Sequence, residues 1–91
     1  MKKLSARLTI INKLGLHARA ATKLAQLSLK FDAKITVKLD DKQADASSIM
    51  AIMLLAGGQG KTVEVTAEGV DAEQALKSIS QLITDKFDEG E

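Results

Sequence analysis

The chain has 91 residues, the length of one small domain, and about two-thirds of its unfolded surface can be buried in a single modest core. Its 45% hydrophobic and 27% charged residues are typical of a folded globule and argue against a disordered chain. The absence of cysteine excludes disulfides and thiolate metal sites, and a net charge of +1 is too balanced for an obvious nucleic-acid binder.

The first part of the chain predicts a strand, a turn, a helix and a second strand. Apolar and polar residues alternate from Leu4 to Ile10, which is typical of a half-buried strand. Gly15 offers a residue for a positive-φ turn. From Ala18 the apolar spacing changes to four, three and four, which predicts a helix of about four turns that reaches Phe31. Alternation returns over residues 35–39.

The middle of the chain predicts a short strand and a short helix. A turn at Asp40-Asp41 leads into a weak third strand around Lys42–Asp45. One serine of the pair Ser47-Ser48 is expected to cap a helix over Ile49–Leu55. Gly57-Gly58 is expected to end that helix.

The last part predicts a fourth strand and a final helix. Alternation over residues 62–68 indicates the strand, and Asp71 with Gln74 forms an approximate capping box. The helix that follows is expected to bury its apolar side as far as Phe87.

The element order is therefore β-α-β-β-α-β-α, in a single domain over residues 1–91. Three strands have one polar face each, so we expect one sheet with helices on one side only. A helix should join the first two strands and sequential hairpins the others. The fold class is then α+β: an open-faced β-sandwich with a four-stranded, mostly antiparallel sheet and three helices on one face.

His17 is the chain's only histidine, and it lies directly after a predicted strand-to-helix turn. There its side chain is beside the N–H groups of Ala18 and Arg19, at a helix N-terminus that favours anions. Arg19 adds a permanent cation that can bind phosphate oxygens in a bidentate fork. These residues indicate an anion-binding nucleophile, and the alternative is an ordinary surface histidine at a helix cap.

A family resemblance favours the first interpretation. Leu14-Gly15-Leu16-His17-Ala18-Arg19 resembles the active-site segment of the histidine-containing phosphocarrier proteins (HPr) of the bacterial phosphotransferase system. Residues 48–54 resemble the second-helix signature of that family, and the segment after Gly60-Lys61 resembles its last strand. The resemblance covers essentially the whole chain and implies the β-α-β-β-α-β-α fold of the family.

The resemblance also implies roles for the residues around His17. Nδ1 of His17 would be the phosphoacceptor, Arg19 would stabilise the phosphoryl oxygens, and the backbone of Ala18 and Arg19 would cradle them. Ala20 stands where the family often has proline, which pre-sets φ in the first helical turn. We therefore expect a slightly less rigid site, with a changed transfer rate and the function intact.

Two further features bear on regulation and on the branch of the family. Ser48 matches a position that a regulatory kinase phosphorylates in some members, although a helix N-cap is the simpler interpretation. Three segments look more like the nitrogen-related branch (NPr): Asn12-Lys13-Leu14-Gly15, Phe31-Asp32-Ala33 and Phe87-Asp88-Glu89. A general sugar-branch HPr, or one carrier that serves both branches, remains the alternative.

The second helix is apolar nearly all round, so part of it is expected to form an exposed partner surface. The alternative is a short helix buried on several sides. Arg19, Lys23 and Lys30 would add a positive rim for an acidic partner. The predicted partner interface consists of Ala20, Lys23, Leu24, Ile49, Met50 and Met53.

The implied partners are enzyme I and enzyme IIA-type proteins, bound transiently by a monomer, with phosphoenolpyruvate as the upstream phosphoryl source. No cofactor, metal or nucleic acid is expected. The sequence does not decide whether the chain counts as an enzyme, since it resembles a transferase-like carrier without its own substrate pocket. Met1-Lys2-Lys3 lacks a following apolar run and no segment could span a membrane, which indicates a cytoplasmic protein without membrane insertion.

Three other classes of protein compete with this hypothesis. A regulatory module could use the same surface without phosphorylation, but it would need neither His17 nor Arg19. A small RNA-binding domain would need stacking aromatics, and the chain has no Trp or Tyr and only two Phe residues. A stand-alone metabolic enzyme would need a pocket with paired titratable groups, and no such spacing is present.

Overall fold

The computed structural model describes residues 2–88, so Glu89 of the last resemblance segment lies outside the described residues. The four strands are β1 (Lys3–Thr9), β2 (Ala33–Leu39), β3 (Lys42–Asp45) and β4 (Thr62–Gly69). The helices are α1 (Ala18–Ser28), α2 (Ile49–Leu54) and α3 (Ala72–Thr84), followed by a 3-10 turn over Lys86–Asp88. The predicted order of elements is confirmed, and so is the α+β class.

The strands form one sheet in the order β1-β4-β2-β3, and every neighbouring pair is antiparallel. Val65 of β4 pairs with Ala6 of β1 on one side and with Val37 of β2 on the other. The expected hairpin between β3 and β4 is wrong, because β4 lies between β1 and β2. The inward residues of β4 are fully buried while those of β1 are half-buried, so β4 is central and β1 is at an edge.

All three helices pack on the same face of the sheet, where they form the core. Its largest fully buried apolar side chains are Ile10, Leu24, Val37, Ile52, Val63, Val65, Ile79 and Phe87. The other face is open and polar. Hydroxyl pairs cross it, with 3.0 Å between Oγ of Ser5 and Oγ1 of Thr66 and 3.3 Å between Oγ1 of Thr9 and Oγ1 of Thr62. The four strands place no aromatic side chain on this face, which argues against base stacking.

Two helices are shorter than their apolar periodicity predicts. α1 has 11 residues, about three turns, and Phe31 lies beyond its end. The chain leaves α1 through a turn in which the N–H of Lys30 donates to the carbonyl of Leu27. Phe31 is nevertheless packed against the core, so its apolar period reports burial rather than helix.

α3 ends at Thr84, although Phe87 is buried as predicted. Lys86, Phe87 and Asp88 all have left-handed backbones, with φ of 57°, 54° and 63°. This turn folds Phe87 back under the helices, and Nζ of Lys23 donates to the carbonyl of Phe87 at 2.8 Å. The final aromatic side chain therefore enters the core from a turn and not from a helix face.

The helix caps agree with the sequence only in part. Oγ of Ser48 accepts from the N–H of Ala51 at 3.3 Å, which confirms the predicted cap of α2. The prediction of a capping box at α3 is wrong. The Asp71 side chain makes no hydrogen bond to the helix, and its Oδ2 accepts from the N–H of Asp32 at 2.8 Å. The left-handed residue that follows α2 is Ala56, with φ of 56°, and not a glycine.

Candidate functional site

His17 lies between β1 and α1, at the N-cap of the helix. Its backbone is extended, with φ −79° and ψ 180°, and its carbonyl accepts the first helical bond from the N–H of Ala21 at 2.8 Å. The ring is half-buried, while Ala18 and Arg19 are exposed. The first turn of α1 contains no acidic residue, so the helix start keeps its positive electrostatic character.

The loop before His17 is a tight turn held by Asn12. The N–H of Gly15 donates to the carbonyl of Asn12 at 3.2 Å, and Gly15 has φ of +66°. The Asn12 side chain is fully buried, and its Nδ2 donates to the carbonyl of Gly15 at 2.9 Å. Sequence reasoning did not assign Asn12 to the site. The available signal was an asparagine three residues before a glycine, a pattern typical of turns closed by the side chain.

The imidazole of His17 is bound to the same loop. Nδ1 lies 3.0 Å from the carbonyl oxygen of Gly15. A carbonyl oxygen can only accept a hydrogen bond, so Nδ1 carries the proton in this orientation. The ring nitrogen that the resemblance assigns as phosphoacceptor is thus turned toward the loop and engaged there.

Contacts across glycines bring this loop to the end of α2. The N–H of Leu16 donates to the carbonyl of Gly57 at 2.8 Å. A Cβ on Gly57 would lie 2.7 Å from Cδ1 of Leu16 and 2.8 Å from Cδ1 of Ile10. The close approach therefore requires glycine at position 57, and it holds the segment that follows α2 against Leu16, the residue before His17.

One face of α2 is buried and the other is solvent-exposed. Ile52 and Leu55 are buried in the core. The exposed side chains are Ile49, Met50, Met53 and Leu54, which we call the α2 patch; Met50 is 72% exposed and Leu54 69%. The expectation of a half-exposed apolar helix is confirmed. Leu14, in the loop before His17, is also 62% exposed.

Two residues of the predicted partner interface are buried in the core. Ala20 and Leu24 are 0% and 1% exposed, so their assignment to the interface is wrong: they form the core face of α1. Nζ of Lys23 donates a hydrogen bond to the carbonyl of Phe87 in the turn after α3, and it lies 3.8 Å from Oδ2 of Asp88. Lys30 follows the far end of α1, which lies about 16 Å along the helix axis from His17, so it is the most distant residue of the predicted positive rim.

Ser48 and its neighbour Ser47 have different hydrogen bonds. Ser48 is half-buried and uses its hydroxyl oxygen as the cap of α2. The hydroxyl of Ser47 donates to Oδ1 of Asp45 at 2.6 Å, and its N–H donates to the same oxygen at 2.8 Å. These two hydrogen bonds lower the pKa of Asp45.

Residues 2–88 contain no group of three His, Asp or Glu side chains that could bind a metal ion. Within the same residues, none of the helices has the length and apolar character needed to cross a membrane.

The chain is similar to known phosphocarrier proteins over nearly its whole length. Residues 4–85 match the PTS HPr family, described as the PTS HPr component phosphorylation site. The phosphocarrier protein NPr of Shewanella violacea is 51% identical over 98% of both chains. The phosphocarrier protein HPr of Cupriavidus necator is 47% identical over 91% of this chain and 93% of its own.

Solved structures agree with the sequence relatives. The HPr of Thermoanaerobacter tengcongensis superimposes with a TM-score of 0.87 at 45% identity, covering 98% of both chains. An HPr dimer from the same organism gives a TM-score of 0.75, covering 96% of this chain and 98% of the other. A family match over most of the chain and relatives at this identity lead to one conclusion: the protein belongs to the HPr family of phosphotransferase-system phosphocarriers.

Proposed function

We propose that this chain accepts a phosphoryl group on Nδ1 of His17 from enzyme I and passes it to an enzyme IIA of the nitrogen-related branch. The observation that carries the proposal is the position of His17, half-buried at the N-terminus of α1, the helix that packs against α2 with its exposed patch. The branch assignment is supported by the 51% identity to an NPr. The 47% identity to an HPr favours a general sugar-branch carrier as the second candidate.

The transfer needs a change in the imidazole before it begins. Nδ1 must leave the carbonyl of Gly15 and lose its proton, so that the ring's single proton resides on Nε2. The Nδ1 lone pair then forms the N–P bond, the bond from phosphorus to the donor protein breaks, and its electron pair stays with the donor. The reverse exchange transfers the group to the acceptor protein. No bound cofactor is required for these steps.

Charge stabilisation on the transferred group is assigned to the helix start and to Arg19. The N–H groups that open α1 have no carbonyl one turn earlier to accept them, so they are oriented to bind phosphoryl oxygens. Arg19 is exposed on the first turn, where its guanidinium can reach the same oxygens. Phosphoryl transfer depends mainly on such positioning and charge.

Replacing Arg19 tests that assignment. Arg19→Gln should slow phosphoryl acceptance about 100-fold, and Arg19→Lys about 10-fold because the charge remains without the fork. Arg7→Gln is the matched control, since Arg7 is also exposed but lies on β1 at the open face of the sheet. Rapid-quench measurement of labelled phosphate gives the rates. Equal rates for Arg19→Gln and Arg7→Gln would remove Arg19 from the site.

The α2 patch is the proposed docking surface for enzyme I and enzyme IIA. Met50→Glu should raise the concentration of enzyme I needed for half-maximal rate about 10-fold, because it places a charge at the centre of an apolar contact. Val70→Glu is the control: Val70 is 77% exposed but follows β4 at the end of the sheet opposite His17. Both variants should melt within a degree or two of the native chain, since both side chains are exposed. Native kinetics in the Met50→Glu variant would contradict the assignment of the docking surface to the α2 patch.

The branch is tested by offering the chain two phosphorylated donors, the nitrogen-branch and the sugar-branch enzyme I, under identical conditions. Faster labelling by the nitrogen-branch enzyme supports the proposal, and preference for the sugar-branch enzyme assigns the chain to the second candidate. We also propose a cytoplasmic location and a monomer in solution. Light scattering tests the latter, and a dimer mass would contradict it.

A further inference from the structure

The carbonyl of Gly15 accepts two hydrogen bonds from different partners. Nδ2 of Asn12 donates to it at 2.9 Å, and Nδ1 of His17 donates to it at 3.0 Å. Both Asn12 and Gly15 are buried, so water has little access to this oxygen. One donor comes from a fixed core side chain and the other from the reactive ring.

The two donors have different fates during the proposed reaction, on which this inference rests. His17 must withdraw Nδ1 before phosphorylation, and once phosphorus is bound there Nδ1 has no proton to donate. Asn12 takes no part in the chemistry and can keep its hydrogen bond throughout. A buried carbonyl that lost its last donor would carry a desolvation cost, whereas one that keeps a donor does not.

We infer that Asn12 is a positioning residue that keeps the Gly15 carbonyl hydrogen-bonded while His17 alternates between its resting and phosphorylated states. The loop can then hold its shape when the ring leaves, including the contact from the N–H of Leu16 to the carbonyl of Gly57. Without Asn12, the ring becomes the main donor to that carbonyl. Its release is then more costly, which disfavours the phosphorylated form.

The resting state can be tested on the native chain without any transfer reaction. Long-range 15N–1H NMR of the His17 ring in alkaline buffer reports which nitrogen carries the proton. We expect Nδ1 to be protonated in the unphosphorylated chain. A ring protonated on Nε2 would overturn the inference, whether or not the chain is a phosphocarrier.

The role of Asn12 is tested by phosphoryl exchange at equilibrium. Asn12→Leu keeps the branched shape and removes the donor, and we expect it to lower the equilibrium constant for exchange with enzyme I about 10-fold, or ~1.4 kcal/mol. Ser28→Ala is the matched control: Ser28 is buried, and its hydroxyl donates to the carbonyl of Ala25 at 2.8 Å, in the last turn of α1. That variant should lose a similar hydrogen bond while its exchange constant stays native.

The outcomes separate this inference from the proposed function. If the native chain exchanges phosphate but Asn12→Leu and Ser28→Ala have the same exchange constant, the role of Asn12 is refuted and the carrier function stands. If the native chain takes no phosphate from either enzyme I, the carrier function fails. Should Asn12→Leu not fold, Asn12→Ala replaces it in the same measurement with the same criterion.

Discussion

His17→Ala is expected to abolish phosphoryl acceptance completely while leaving the fold intact. The native chain incubated with phosphoenolpyruvate and a matching enzyme I should gain one acid-labile phosphate, and the variant none. The loss is total because no other histidine exists in the chain to supply a ring nitrogen. Mass spectrometry before and after acid treatment measures the number of phosphates gained and whether acid removes them.

The fold of this variant should be nearly native. The His17 side chain makes no capping hydrogen bond to α1, so its loss removes little of the helix start. Lys13→Ala, an exposed change in the same loop, serves as the control and should be phosphorylated at the native rate. An acid-stable phosphate in the native chain would indicate a serine or threonine rather than His17. A variant that still gains an acid-labile phosphate would refute the assignment of His17.

Gly15→Ala is expected to have the second-largest effect, on stability and on transfer together. The added Cβ would overlap the carbonyl oxygen of Gly57 and lie 2.8 Å from Cα of Gly58, and the φ of +66° is unfavourable for alanine. Both obstacles are backbone atoms, so the loop must move. We expect a loss of about 3 kcal/mol in the free energy of unfolding and a roughly 100-fold slower acceptance of phosphate.

Alanine substitutions at two other glycines distinguish the cost of a positive φ from the cost of steric overlap with Gly57. Gly60 has φ of +90° with open space around a Cβ, and Gly58 has open space without a positive φ. Gly60→Ala should therefore cost about 1 kcal/mol, and Gly58→Ala less than about 0.5 kcal/mol. Urea unfolding of all three variants gives the comparison. If Gly15→Ala costs no more than Gly60→Ala, the contact with Gly57 does not hold the loop.

Local periodicity predicted the elements well because burial on one face leaves a direct record in the sequence. The alternation over residues 35–39 and 62–68 corresponds to β2 and β4, and the apolar face of α2 was recognised in advance. The order of strands was not predicted fully, because a period of two reports which face is buried and not which strand lies alongside. The same limit explains Phe31 and Phe87. Both side chains pack in or against the core as predicted, but both lie in turns and not in the predicted helices.

The sequence led to the proposed reactive residues and not to the residue that supports their loop. His17 and Arg19 could be selected because histidine is unique and a cation follows a helix start. For Asn12 the sequence shows only a turn pattern, an asparagine three residues before a glycine, and its role depends on the direction of the Gly15 carbonyl in the folded loop. Ala20 and Leu24 are close to His17 in the sequence, but helical geometry turns both side chains into the core, which the prediction of an interface did not allow for.

The position of β1 in the sheet has a consequence for how the chain is made. Within the sheet, β1 pairs with β4 alone, and Lys3 lies opposite Glu68. The first of the four strands to be synthesised therefore has no neighbour in the sheet until the fourth has been made. Pairing between such distant segments is slow to form. During synthesis, α1 and the β2–β3 hairpin can assemble early, and β1 joins the sheet only after β4 has been synthesised.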